Sequence, residues 1–195
     1  YKLSILINNK YKVKEIGRLS FTYYSLFAGI GGMTMGLEPL GGKCLGAWEY
    51  DPSSKTQHAQ NAHKLLHPHI PIHSDVTKIN PYELDDFDLL AFTTPCQPFS
   101  SAGKRGGFED TRGTLTFDAL NIAKVKQPKV LFMENVKGLI NHNKNNTLST
   151  IIHAINEIGY LVDFTVINSK YYDVPQNRER IYLVAVREDL VKQED

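Results

Sequence analysis

The sequence predicts an α/β domain built on a doubly wound, mostly parallel sheet with helices on both faces. Two observations lead there. Strand-sized apolar runs alternate with helix-like stretches from about Tyr23 to Val186, the pattern of successive β-α units. Glycines and carboxylates recur where strands should end, the edge at which open parallel sheets gather their functional groups.

The elements follow in chain order. YYSLFAGIGG, from Tyr23, reads as a strand running into a glycine turn, and Met33 to Leu40 as a short helix closed by Gly41-Gly42. KCLGAWEYD is a second strand ending in carboxylates. Asp51-Pro52-Ser53 opens a helix through about Leu66, with proline in its first turn. A third strand would end near Asp75, and Asp88 to Thr93 forms another. Gly113 to Lys126 has helical spacing of Leu115, Leu120 and Ile122-Ala123. Lys129 to Met133 is a strand, Thr147 to Ile158 a helix stopped by Gly159, and Ile181 to Val186 the final strand. Residues 1–22 are expected to form an N-terminal accessory segment and 23–195 the main domain. Ser100 to Thr114 carries Gly103, Gly106, Gly107 and Gly113 without apolar periodicity; a loop of that length is expected to act as a lid.

Composition narrows the class. A chain of 195 residues suffices for one core. At 42% hydrophobic and 22% charged residues, the chain is neither disordered nor a membrane protein. No apolar run approaches the ~18 residues of a spanning helix, and the first residues lack a secretory signal. Cys44 and Cys96 make neither a disulfide framework nor a cluster with metal-ligand spacing, so no metal is expected and a reducing, cytoplasmic setting is. A net charge of +1 decides nothing about nucleic acid, because charge can concentrate on one face.

Four places carry candidate chemistry. Gly29, Gly31 and Gly32 follow a strand and open a helix, where glycine lets backbone approach a ligand; a plain tight turn is the alternative. Glu49, twenty positions after Gly29, ends the next strand, where a carboxylate grips ribose hydroxyls. Tyr50 offers an aromatic face or a core packing group, and Asp75 a ligand contact or a helix cap. Together these positions suggest an adenosyl ligand, while the lack of a GxxxxGK[ST] loop argues against a nucleoside triphosphate. Cys96, in TTPCQPFS just beyond a buried strand, is a nucleophile if reachable and a buried hydrophobe if not. Glu134 is placed at the mouth of the Val130–Met133 strand, as a proton donor or a salt-bridged group. Arg178 and Arg180 stand two apart before IYLVAV, aimed to one side by strand alternation; guanidinium forks suit phosphate and carbonyl oxygens, and a solvated edge is the plainer account.

FAGIGG, WEYD, SDV, PCQPFS, GFEDTRGTL, MENVKGL and QNRERIY occur in that order. In this the chain closely resembles the DNA (cytosine-5) methyltransferase family over about Tyr23 to Val186. The resemblance implies a Rossmann-like, S-adenosylmethionine-dependent methyltransferase fold. It also implies methyl transfer to carbon 5 of cytosine in double-stranded DNA, with S-adenosylhomocysteine as product, in a bacterial restriction–modification setting. Cys96 would be the nucleophile, Glu134 the contact to the ring nitrogen and exocyclic amine, and Arg178 and Arg180 the clamp on a flipped nucleotide. Phe27, Ala28, Gly29, Gly31, Gly32, Glu49, Tyr50, Asp75, Val76, Pro95 and Leu115 would surround the cofactor. Gln97, Ser100 and Arg112 would belong to a DNA-closing loop.

The sequence departs from the family's pattern in three ways. Ser25 stands where aspartate is common, and its hydroxyl is expected to anchor the turn. Tyr50 stands where tryptophan is common and is expected to stack. Nothing matches the target-recognition region or the GN-type segment that follows it. The expectation is therefore a truncated or split enzyme, with a second polypeptide as possible partner, weak in activity alone. Alternatives are a tRNA cytosine-5 methyltransferase and an inactive cofactor- or DNA-binding fragment.

Overall fold

The computed structural model describes residues 19–95, 115–144 and 146–191. Its seven strands are β1 (Phe21–Leu26), β2 (Gly42–Trp48), β3 (Ile72–His73), β4 (Leu89–Phe92), β5 (Val130–Val136), β6 (Tyr160–Asn168) and β7 (Glu179–Arg187). Four helices connect them: α1 (Gly32–Leu37), α2 (His58–Leu66), α3 (Leu115–Lys126) and α4 (Asn146–Glu157). The sheet order is β3-β2-β1-β4-β5-β7-β6. β1 through β5 pair in parallel, and β7 runs antiparallel to both β5 and β6.

Strand alternation divides the core into two layers. Along β1, Tyr23 joins one cluster with Ala47, Ala91 and Leu37, while Tyr24 and Leu26 join the other. That second, larger cluster packs Leu90, Phe92, Leu131, Met133 and Leu183 against Phe117, Leu120, Ile151 and Ile155 of α3 and α4. Helices thus cover both faces, as the doubly wound reading requires.

The alternation of elements holds, with four differences of detail. α2 begins at His58 rather than near Asp51. Asp51 spends its carboxylate on the Ser53 backbone N–H (2.9 Å) and hydroxyl, and Gln57 bonds back to Asp51 at both its N–H and its carbonyl. Those local bonds hold a turn where a helix would need free backbone. β5 continues past Met133 to Val136, because its ladder with β7 extends through Glu134↔Tyr182 and Val136↔Arg180. β7 correspondingly starts at Glu179. Finally, β6 was not anticipated by the alternation. It lies at the sheet edge with Leu161, Asp163, Phe164, Thr165 and Val166 exposed, so it lacks the continuous apolar run of a central strand.

Candidate active site

The chain runs outward from β1 to β3, then returns to β4 beside β1. The reversal between β1 and β4 is a topological switch point, and the crevice beyond its carboxyl ends is where such sheets bind ligands. Every described candidate residue lies at this end.

The first wall is the turn after β1. Phe27 (φ 56°), Gly29 (φ 56°) and Gly31 (φ 101°) take left-handed backbone, which glycine accepts freely and phenylalanine does not. Hydrogen bonds offset that strain. Thr93 Oγ1 donates to the Phe27 carbonyl at 2.6 Å, and the Ala28 N–H donates to the Trp48 carbonyl at 2.9 Å. The Gly29 N–H donates to Glu49 Oε2 at 2.8 Å. One carboxylate oxygen of Glu49 therefore holds the turn, and Oε1 takes no part in that bond. Ser25 does not anchor the turn as expected: it is buried, and its Oγ has no hydrogen-bond partner among the described residues. The anchoring work falls to Glu49 and Thr93, signals that strand-end position alone disclosed for Glu49 only.

Beyond β2, Tyr50 is exposed, so it is not the core tyrosine of the plainer reading. Asp75 accepts from the Thr77 N–H (2.9 Å) and hydroxyl (2.7 Å), capping the 3-10 turn Val76–Lys78. It is a cap by geometry, half-buried beside the buried Val76. Across the crevice, Leu115 opens α3. Asp118, one turn further, has its carboxyl pushed above the usual range by burial and then by Asp75.

The second wall joins β4 to β5. Asn135, only 5% exposed, donates through Nδ2 to the Thr94 carbonyl at 2.9 Å and lies 3.3 Å from Thr94 Oγ1. Thr116 Oγ1 donates to Thr94 Oγ1 at 3.1 Å. Thr94 is thus fastened from β5 and from α3, fixing the exposed Pro95 at the point where the chain leaves toward Cys96. Cys96, Gln97, Ser100, Arg112 and the anticipated lid, 100–114, lie outside the described residues. Asn135 is a positioning residue that the sequence reading missed; its signal was the polar residue following Glu134 in a strand otherwise apolar.

Glu134 sits inside β5 rather than at its mouth, two residues before the strand ends and directly across from Tyr182. Its Oε1 lies 3.0 Å from Arg180 Nε, with the two side chains 19% and 21% exposed. The hydroxyl of Tyr182 is pushed above its ordinary range by burial and then by the Glu134 charge. Arg178 precedes the strand and is exposed, so the alternation that would aim both arginines to one side begins after it. Its backbone N–H donates to Asn168 Oδ1 at 3.2 Å, at the end of β6.

The profile of C-5 cytosine-specific DNA methylases matches residues 21–195. The chain belongs to that family. It is 48% identical over 169 residues to the type II methyltransferase M.HpaII of Haemophilus parainfluenzae, covering 86% of this chain and 46% of that one. To M.HhaI of Haemophilus parahaemolyticus it is 39% identical over 179 residues, covering 92% and 53%. An orphan methyltransferase of Bacillus phage SPR, M.SPRI, is 55% identical over 121 residues, 62% of this chain and 28% of that protein. The chain therefore spans about half the length, or less, of these relatives. Among solved structures, the Dnmt2 methyltransferase of S. pombe superposes with a TM-score of 0.67 at 21% identity, covering 91% of this chain and 52% of that one. A DNMT2 variant of Spodoptera frugiperda gives 0.69 at 24%, covering 90% and 54%. The methyltransferase fold, Rossmann-like in its mostly parallel sheet, is that of this methylase. Among its described residues no helix is long and apolar enough to cross a membrane.

Proposed function

We propose that this methylase chain forms the cofactor-binding and catalytic part of an enzyme that methylates carbon 5 of cytosine in double-stranded DNA from S-adenosylmethionine. The observation that carries the reading is convergence at the switch point. The glycine turn braced by Glu49, the Thr94–Pro95 step braced by Asn135, and the Glu134–Arg180 pair all face one crevice end.

The residues fit the cofactor. Glu49 keeps Oε1 for ribose hydroxyls, Tyr50 presents an exposed ring to an adenine, and Gly29 and Gly32 have open space where a side chain would stand, while the buried Gly31 lets the turn close against His67. Phe27, Ala28, Gly32, Asp75, Val76, Pro95 and Leu115 complete the enclosure. When bound, the sulfonium supplies an electrophilic methyl group.

The chain's own residues prepare the acceptor. Carbon 5 of cytosine is too electron-poor to attack unaided, so the Cys96 thiolate adds to carbon 6 and its electron pair passes through the ring to carbon 5. Glu134, hydrogen-bonded to the ring nitrogen and exocyclic amine, supports the charge that develops there. Arg180 holds Glu134 in place, and with Arg178 grips the flipped nucleotide, which is inaccessible within the duplex. Gln97, Ser100 and Arg112 contact DNA from the loop following Cys96. Once carbon 5 carries the methyl group, loss of its proton to solvent and expulsion of the Cys96 thiolate restore the aromatic ring.

The test is covalent trapping. Duplex DNA containing 5-fluorocytosine, incubated with the protein and S-adenosylmethionine, should give a denaturation-resistant adduct that Cys96→Ser abolishes. An adduct that persists in Cys96→Ser removes that residue from the role. Trapping by fluorinated tRNA but not by DNA overturns the choice of substrate.

A further inference from the structure

Beneath the glycine turn lies a pair of imidazoles that the proposed chemistry does not use. His63 lies on α2 and His67 is the residue that caps its C-terminus, four positions on. His63 is 0% exposed and His67 7%, with ring centroids 4.9 Å apart. Neither nitrogen of His63 has a hydrogen-bond partner among the described residues, and neither does Nε2 of His67. The His67 ring lies against Gly31, where a Cβ would collide with its Nε2 and Cδ2 and touch His63 Cδ2 at 3.4 Å. Turn and rings thus form one packed column. Phenylalanines would fill that space without stranding polar nitrogens, whose burial unpaired is costly.

We propose that His63 and His67 position the Gly29–Gly32 turn and tie its cofactor affinity to the charge on His63, so that affinity falls as the solution becomes acidic. This rests on the reading that S-adenosylmethionine binds at the turn. A proton on His63 would be buried and would face His67; its own backbone favours that proton, but less than burial and His67 oppose it. Burial first, then His67, hold the His63 pKa below its ordinary 6.5. Of the other charged groups that act on His63, His69 also disfavours its proton. Glu38, on the turn after α1, favours the proton, but its Oε1 is engaged by His69 Nε2 at 2.6 Å. Tyr23 on β1 and Cys44 on β2 are pushed upward by burial, Cys44 to about 11, so both stay neutral. On α2 itself, Lys64 Nζ is 3.5 Å from Gln60 Oε1. The sign follows. Above the ordinary 6.5 both folded and unfolded His63 are neutral and nothing is lost. As the pH falls below it, the unfolded or loosened state takes up the proton first, and the packed column loses stability.

The experiment is calorimetric titration of S-adenosylmethionine into the full chain at about pH 7 and about pH 5, with the His63 imidazole resonance followed by NMR across that range. The expected result is a fall in affinity of at least about fivefold, the lower end of usual coupling between sites, in step with titration of His63. His63→Phe, which keeps a ring in the column, should bind equally at both pH values apart from the ligand's own titration, measured with free ligand. No binding at about pH 7 defeats the cofactor reading instead. Equal affinity at both pH values overturns the inference, as does a pH dependence undiminished in His63→Phe. Where His63→Phe fails to fold, the wild-type resonance decides: an affinity loss without His63 titration overturns the inference equally.

Discussion

Asn135→Ala should cost the methylase both stability and, more severely, catalysis. The side chain makes a 2.9 Å bond to the Thr94 carbonyl, approaches Thr94 Oγ1 at 3.3 Å, and accepts from the Val136 N–H at 2.8 Å. Truncation strands a buried carbonyl and removes a packed amide. With unsatisfied buried groups costing ~1–3 kcal/mol each, the loss should be about 2–4 kcal/mol. Asn135→Asp should be worse, since it sets a buried carboxylate oxygen against the Thr94 carbonyl. Thr94→Val, which keeps the carbonyl bond and loses only the hydroxyl, should cost about 1 kcal/mol. Urea denaturation of the three variants measures this ranking. Because Thr94 lies two residues before Cys96, the proposed nucleophile, Asn135→Ala is also expected to slow turnover, since misplacement of a reacting group by about 1 Å lowers rates by about 10²-fold. Stability of Asn135→Ala within about 0.5 kcal/mol of the parent, the range of ordinary surface changes, would refute the reasoning.

Other outcomes follow from single contacts. Glu49→Ala should weaken S-adenosylmethionine binding by about 1.5–3 kcal/mol, through loss of the proposed ribose contact and the loosened Gly29 N–H; unchanged affinity by calorimetry removes Glu49 from the site. Gly31→Ala should destabilise by at least about 1–2 kcal/mol, the usual cost of left-handed backbone with a side chain, and His67→Ala should relieve only the collision part of that cost in a double-mutant cycle. Asp88, bonded to Lys129 Nζ at 2.7 Å and to the Thr22 N–H at 2.9 Å, has its carboxyl lowered by Lys129 first and then by Thr22. Its contribution is present above the ordinary 3.8 and lost as pH falls through the lowered value. Asp88→Asn should accordingly flatten the acid limb of the stability curve, and an unchanged limb would exclude it.

Central strands were legible because they are apolar on both faces: Leu89–Phe92 and Leu131–Met133 announce themselves as runs. The edge strand β6 was not, because solvent reaches both of its faces, with Asp163 and Thr165 exposed on one and Phe164 and Val166 on the other. Its β-branched and aromatic residues were the remaining signal. The late start of α2 was hidden for a different reason. Asp51-Pro52-Ser53 satisfies the rules for a helix start, and only the reach of Gln57 back to Asp51 shows that the same residues close a turn first. At the site, residue types disclosed Glu49 and Glu134 but not the contacts that hold the site together. The Gly29 N–H reaches Glu49, Arg180 reaches Glu134, and Thr94 reaches Asn135 through pairings many residues apart in sequence.

The adjacency of Glu134 and Asn135 has a physical reason in the period of a strand. Successive side chains on β5 point to opposite faces. Glu134 therefore emerges on the face of Phe132, beside Tyr182 and Arg180, where a base could meet it. Asn135 turns the other way, into the buried layer with Leu131 and Met133, and reaches the Thr94 carbonyl. One dipeptide thus serves both requirements of the proposed chemistry: a carboxylate held by a guanidinium, and a fixed departure point for the chain that carries the thiol. Moving either residue by one position would exchange their faces, burying the carboxylate against Thr94 and presenting the amide to the crevice. The order Glu-Asn is therefore dictated by which side of the sheet each partner occupies. Exchanging the two, as Glu134→Asn combined with Asn135→Glu, should give a protein less stable to urea than Asn135→Ala alone, because a carboxylate is then buried where the amide's donor is needed. Equal or greater stability of the exchanged pair would show that the two faces do not discriminate between the side chains.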